Sequence, residues 1–453
     1  MDRVTFSALD SPLLGPLFAT DDMRRVFSEE ARLRAMLRME AALARAEAAH
    51  GLAPEGLASA IEAVAADDLD IAAMGRDTAV AGVPVIPFVK AVQARLPADL
   101  ARAFHKGATT QDVLDTALVL QMRDAFALLE ADLGATLQGL ASLAAAQRDT
   151  PCVGRTYGQH AAPVTFGFKA AVWLAGIADR AAQLPALRDR ALVASLGGPV
   201  GTLAALGDKG PAVAETFARD LGLGAAPIAW HALRGRMAEA GTWLATLMGA
   251  LAKMAADVAH LASTEVGEVA EPHVAGRGGS SAMPHKRNPV SSTIILAAQS
   301  AAKGHVTTLL DAMAAAHERP VGLWHAEWHA LPSLFGLASG ALREARGLSE
   351  GLEVRPGRMR ANLDATNGLL FADAAAARLS ATLGRAAAHD LVERAAGDVR
   401  ETGEPLQAVL RRLSDQSLDD AFDLGPSVEA AGLWTDRALA QLRPIIDTLL
   451  SQR

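Results

Sequence analysis

The chain has 453 residues, of which 51% are hydrophobic, 21% charged and 4% aromatic, enough for about three domains and too apolar for disorder. A formal net charge of −8 argues against a nucleic-acid binder, which carries a basic face, but leaves anionic substrates open because a pocket needs only a few local cations. Tyr occurs once and Phe twelve times against an abundance of Ala and Leu, so composition favours an all-α fold. Cys152 is the single cysteine, which excludes an intrachain disulfide or a thiolate metal cluster; beside Pro151 it reads as a packing residue at a helix end. The first twenty residues lack the basic start and apolar stretch of a signal peptide. No uncharged stretch reaches membrane-spanning length without polar interruption. A cytoplasmic protein is expected.

Residues 1–108 are expected to form an N-terminal helical domain, with breaks at Gly51, Pro54, Gly82, Pro84 and Pro87. Residues 109–351 read as a central bundle of five long helices. The first runs from Thr109 to about Thr150, with Leu114, Leu118, Met122, Phe126, Leu129, Leu133, Leu137 and Leu140 on one face; at 1.5 Å per residue it is roughly 60 Å long. The second begins at Pro163 and passes Trp173 to about Leu192. The third, from about Leu233 to Thr264, carries Met237, Ala240, Leu244, Leu247, Leu251, Met254, Val258 and Leu261 in alternating steps of three and four, the seam of a coiled-coil-like bundle. The fourth follows Pro289 to about Ala316, and the fifth covers about Ala326 to Gly351, bent or restarted at Pro332. After Pro356, residues 352–453 form a C-terminal helical domain. No strand of useful length and no repeat is expected.

Three polar segments interrupt these rods. Gly278-Gly279-Ser280-Ser281-Ala282-Met283-Pro284-His285-Lys286-Arg287-Asn288-Pro289 combines paired glycines, adjacent hydroxyls and two cations ahead of a proline that can open a helix. Gly107-Ala108-Thr109-Thr110-Gln111-Asp112 stands at a helix start, where unpaired amides and the dipole suit an anion; a simple N-cap explains it equally well. The last is Arg155-Thr156-Tyr157-Gly158-Gln159-His160-Ala161-Ala162-Pro163.

The first string resembles the signature G-S-S-x-M-P-x-K-x-N-P of the fumarase/aspartase superfamily, and the other two resemble its G-x-T-S-x-D and R-T-H-x-Q-x-A-x-P segments. The resemblance covers nearly the whole chain. It implies three helical domains around a central five-helix bundle. It also implies that Ser280 is the carbon acid/base and that Lys286 and Asn288 bind a substrate carboxylate and stabilise an aci-carboxylate intermediate. By the same resemblance Ser281, Met283, Thr109, Thr110, Gln111, Tyr157 and Gln159 contact substrate. His105 and His160 lie within motif stretches and are candidates for binding a substrate carboxylate.

Two departures carry information. Tyr157 stands where the lyases of the superfamily place the histidine that serves the departing group, and Thr293 stands where its glutamate partner falls. A basic leaving group needs a general acid, whereas a carboxylate attacks or leaves at neutral pH without a proton. The losses therefore fit the cycloisomerase branch, in which an internal carboxylate adds across a conjugated double bond and closes a carboxymuconate to a lactone during aromatic catabolism. Glu318-Arg319-Pro320, Trp324-His325-Ala326-Glu327-Trp328 and the stretch from Asn362 to Leu369 resemble the same branch. An amine-releasing, fumarate-forming lyase of the adenylosuccinate type is the alternative enzyme, and a non-catalytic helical scaffold the alternative of another class.

Gly197-Gly198-Pro199-Val200-Gly201-Thr202 lacks the preceding strand and G-K-[ST] ending of a phosphate loop, and is expected as a glycine turn near the site. Arg236 is a candidate substrate contact, with a structural ion pair as the equal alternative. His325 and His329, one turn apart, are read as packing beside two tryptophans. No metal and no cofactor are expected. The implied partners are a small tricarboxylate and further copies of the chain, since the superfamily builds its sites from segments of several subunits in a homotetramer. No nucleic acid or membrane partner is expected.

Overall fold

A computed structural model describes residues 5–279, 282–283 and 286–451. The fold is all-α, with two short antiparallel pairs of strands among the described residues. Five long helices lie at the expected places: α1 (Thr110–Ala146), α2 (Phe166–Ala181), α3 (Gly235–Leu261), α4 (Val290–Ala312) and α5 (Leu323–Gly351). All eight apolar positions read for α3 are buried, from Met237 to Leu261. That leaves no surplus apolar surface on this stripe for assembly, contrary to what the bare pattern suggested. On α1 the stripe from Met122 to Leu140 is buried, but Leu114 and Leu118 are only half-buried, while Val113, Ala117 and Leu120 on another face are fully covered. The first half of α1 is thus enclosed on several sides. Helix α3 is long and apolar enough to cross a membrane, yet half of its most apolar window is packed inside the protein, as befits a core helix.

Three expectations are corrected. The stretch after α1 is a hairpin of β1 (Pro151–Thr156) and β2 (Gln159–Thr165). Pro163 therefore lies in a strand opposite Val153, and α2 starts only at Phe166. That helix also stops at Ala181 and a separate turn runs from Leu184 to Ala191, because Pro185 in its first turn has no N–H to continue the earlier ladder. Pro87 does not break a helix but sits near the start of Val85–Gln93, where a missing N–H costs nothing. Cys152 lies buried on β1 rather than at a helix end, and burial pushes its thiol up to about 12, which makes it inert.

The chain divides into two compact units. The first comprises Met1–Asp132, Arg180–Gly249 and Ala297–Arg343. Its core includes an aromatic cluster in which Phe126 meets Trp243 and Phe335 edge-on, with centroids 5.9 and 5.0 Å apart. The second comprises Leu133–Asp179, Ala250–Leu296 and Glu344–Arg453. There β1 packs Val153 on Leu363 and Leu370. A separate small core of Leu379, Leu391, Val392, Leu406 and Val409 ties the C-terminal helices together.

Candidate functional site

In the first unit the site is organised by Asp112, buried in the first turn of α1. Its carboxylate accepts the Thr109 N–H at 2.9 Å, the Gly197 N–H at 2.8 Å and the Gly198 N–H at 2.9 Å, and lies 2.6 Å from Nε2 of buried His231. One buried charge thereby clamps the helix start, the glycine turn and the 230s segment, and each bond is charge-assisted. Gly198 is obligatory: its φ is +71°, and a Cβ would sit 2.8 Å from the Gly107 carbonyl oxygen.

Over this clamp lies Arg319, a residue quoted from the sequence only as part of a branch motif. Its Nε donates to Gln111 Oε1 at 2.9 Å, and its Nη2 donates to Thr109 Oγ1 and the Pro199 carbonyl, both at 3.3 Å. It has no carboxylate partner among the described residues and is half-exposed. A cation held by neutral acceptors above a helix start is a seat for an anion. Gln111 is fully buried, and its amide nitrogen is occupied by Asp115 and the His231 carbonyl, so it aims Arg319. Thr109 and Thr110 stand at the open end of the helix, both half-exposed. Arg236 lies elsewhere and donates to the Arg190 carbonyl at the end of the Leu184–Ala191 turn. Two positions earlier, Arg234 is buried and forks between Asp115 and Glu327. His325 packs against Trp324 and Trp328, with centroids 5.2 and 4.5 Å away.

His105 has a φ of +59°, unusual for a residue with a side chain. Its Nδ1 lies 2.5 Å from Oε1 of Glu40, a buried residue of the helix Glu29–Ala49. Glu47, on the same helix, is also buried with Oε1 unpartnered, and burial pushes its carboxyl up to about 7 against the pull of Lys106. Between its ordinary value of 4.5 and about 7 the folded chain keeps a proton that the unfolded chain has released, so stability falls as pH rises through that window and is flat above it. Glu47→Gln should abolish this slope. The melting temperature of the variant relative to the parent should then climb by several degrees between pH 5 and pH 8, and a difference independent of pH would refute the assignment.

In the second unit, Tyr157 and Gly158 form the tip of the β1–β2 hairpin with φ of +50° and +76°, a two-residue turn whose twist matches the strands. Tyr157 and Gln159 are exposed. Arg155 is committed to buried Glu268, which also accepts from Asn362 at 2.7 Å. His160 pairs across the hairpin with Arg155; burial, and then the Arg155 charge, hold it below the ordinary imidazole range. It is a neutral donor or acceptor at neutral pH, not a cation.

Ser280, Ser281, Pro284 and His285 lie outside the described residues; their flanks are described. The Asn288 N–H donates to the Gly278 carbonyl at 2.9 Å, and Gly279 bridges to Arg287, so the two ends of the segment are zipped together. Gly278, with φ of +68°, has room for no Cβ, because the Asn288 oxygen would lie 2.7 Å away. Arg287 is taken up by Glu353 at 2.9 Å. The amides at the start of α4 are also occupied: Glu271 accepts the N–H of Ser291 and of Ser292 at 2.9 and 2.8 Å. Lys286, Asn288 and Met283 are exposed, and Lys286 has no ion-pair partner among the described residues. Thr293 bonds back to the Pro289 carbonyl at 2.8 Å.

Residues 17–304 match the family described as lyase. The chain belongs to the lyase family. It is 46% identical to the 3-carboxy-cis,cis-muconate cycloisomerase of Pseudomonas aeruginosa, across 95% of this chain and 96% of that one. It is 42% identical to a nitrosuccinate lyase of Streptomyces davaonensis, across 96% and 95%. The crystal structure of the 3-carboxy-cis,cis-muconate lactonizing enzyme from Pseudomonas putida superposes with a TM-score of 0.91 at 43% identity, covering 96% of this lyase and all of that chain. Relatives of similar identity thus differ in reaction. The site's own chemistry has to discriminate among them.

Proposed function

We propose that this lyase is an isomerase that interconverts 3-carboxy-cis,cis-muconate and 4-carboxymuconolactone in aromatic catabolism. The observation that carries the reading is the chemistry at the two departure positions. Tyr157 offers an exposed phenol, and the Thr293 hydroxyl is tied to a backbone carbonyl. Neither resembles the imidazole–carboxylate pair that would protonate a basic leaving group. The relatives named cycloisomerase support the same reading.

In the forward direction a carboxylate oxygen of the substrate forms a C–O bond to one end of the conjugated double bond. The displaced electron pair settles on the carbon alpha to another carboxylate. Lys286, Asn288 and the Thr109–Thr110 helix start with Arg319 stabilise that charge electrostatically. Ser280 delivers a proton to the carbanion carbon; in reverse it removes one. Tyr157, Gln159, His160, Ser281 and Met283 complete the proposed contacts, and Gln111 acts by aiming Arg319. The boundaries at 108/109 and 351/352, a cytoplasmic location and a homotetramer with shared sites belong to the same reading. An aromatic ring fully exposed at a hairpin tip supports shared sites, because a second copy could cover it.

Two ultraviolet assays test the activity: loss of carboxymuconate absorbance supports it, and fumarate release from adenylosuccinate would replace it with the alternative lyase. Failure to bind any di- or tricarboxylate in calorimetry would restore the scaffold. A fully active monomer in sedimentation would refute the shared-site assembly.

A further inference from the structure

We infer that Glu40 is a positioning residue for this reaction, fixing His105 as a cationic donor at the edge of the Thr109–Arg319 anion seat. The inference rests on the carboxylate-substrate reading above. Glu40 is 1% exposed, its Oε1 lies 2.5 Å from His105 Nδ1, and its Oε2 has no partner. The imidazole is thus the sole hydrogen-bond partner of a buried carboxylate, which would be costly to bury alone. The bond orients the ring with Nδ1–H toward Glu40. His105 Nε2 makes no hydrogen bond and is not sealed from solvent, so it faces outward, in the segment that leads through Gly107 to Thr109. A buried acid behind an imidazole whose far nitrogen is open is the arrangement that orients catalytic histidines in other enzymes. Here it equips a cation to hold a carboxylate.

The groups around the ring favour that charge. Glu40, Asp112 and Glu47 all act to raise His105, while burial opposes them; the outcome is a value above the ordinary imidazole range. Lys106 is the neighbouring cation and also faces Glu47. The positive φ of His105 is a local strain that the Glu40 bond helps to hold in place.

The test uses Glu40→Gln, Glu40→Asp, His105→Gln and the Glu40→Gln/His105→Gln double variant of the full chain, with kcat and KM measured from pH 6 to 9. A substrate whose carboxylates have ordinary pKa values near 4 is ionised throughout. The parent KM should rise only on the alkaline side, as His105 loses its proton. In Glu40→Gln the rise should begin at least one pH unit lower, giving a KM about 10-fold higher at pH 7.5, with kcat far less affected and the pH 6 value close to that of the parent. Glu40→Asp should restore the parental limb. The double variant should match His105→Gln. Repeating the series in a Glu47→Gln background removes the titration of that neighbour from the profile.

Equal losses in kcat and KM at every pH, or a limb that does not move, would overturn the role of Glu40. Calorimetric binding of benzene-1,2,4-tricarboxylate over the same pH range reads the same limb without turnover. An inactive parent would therefore count against the proposed reaction, while the binding limb would still decide for or against Glu40.

Discussion

Ser280→Ala is expected to lower turnover by about 10²–10⁴-fold, the usual contribution of a positioned acid/base, while shifting the melting temperature by no more than about 2 °C. The segment that carries it is anchored at its two ends, by Asn288 on Gly278 and by Arg287 on both Gly279 and Glu353. Removing one hydroxyl from between those anchors leaves every one of them in place. The chemistry, in contrast, needs a proton delivered to carbon, and no histidine–carboxylate pair stands at Tyr157 and Thr293 to substitute. The loss should fall on kcat, because the anion seats at Lys286 and Arg319 are untouched, and differential stabilisation of the transition state is what has gone. Near-normal turnover would remove Ser280 from the reaction.

Arg234→Met carries the largest expected cost to the fold. Arg234 is buried, with Nη1 on Asp115 at 2.7 Å and Nε on Glu327 at 2.8 Å, and Trp324 Nε1 donates to Asp115 at 3.0 Å. Burial alone raises the Glu327 carboxyl, and Arg234 acts against that rise. Removing the cation leaves two acids buried without a counterion, a loss of about 3–5 kcal/mol or more. Replacing the whole group, as Arg234→Met/Asp115→Asn/Glu327→Gln, should be milder than the single change, because no uncompensated charge remains and the amides can still accept from Trp324 and Gln111. Denaturant titration distinguishes the two. A single variant within about 1 kcal/mol of the parent, inside the range of ordinary substitutions, would show that the group does not stabilise the fold.

Much of the architecture could be read along the chain because helical periodicity is local: the α3 stripe from Met237 to Leu261 is buried at every position read. The β1–β2 hairpin escaped because Pro151, Gly154 and Pro163 interrupt its alternation, and its register shifts at Gly154/Arg155. The helix start at Thr109 was visible as a motif, but its cation was not, since Arg319 lies 208 residues from Gln111. Glu40 was hidden for the same reason, 65 residues from His105 on an otherwise ordinary helix. Arg236 drew attention in place of Arg234 because nothing in the sequence says which face of the helix start turns inward. Two residues apart there is a rotation of about 200°, enough to send one side chain into the core and the other away from it.

The Asp112 clamp has a thermodynamic consequence. Four donors from three segments already converge on one buried carboxylate, so the seat above it exists before any ligand arrives. A carboxylate entering there displaces water from a rigid surface and orders little of the backbone, which spares the conformational entropy that an induced pocket would lose on closing. Encounter at this end of the site is then governed by charge and diffusion, and slows as salt screens Arg319, without waiting for a loop to fold.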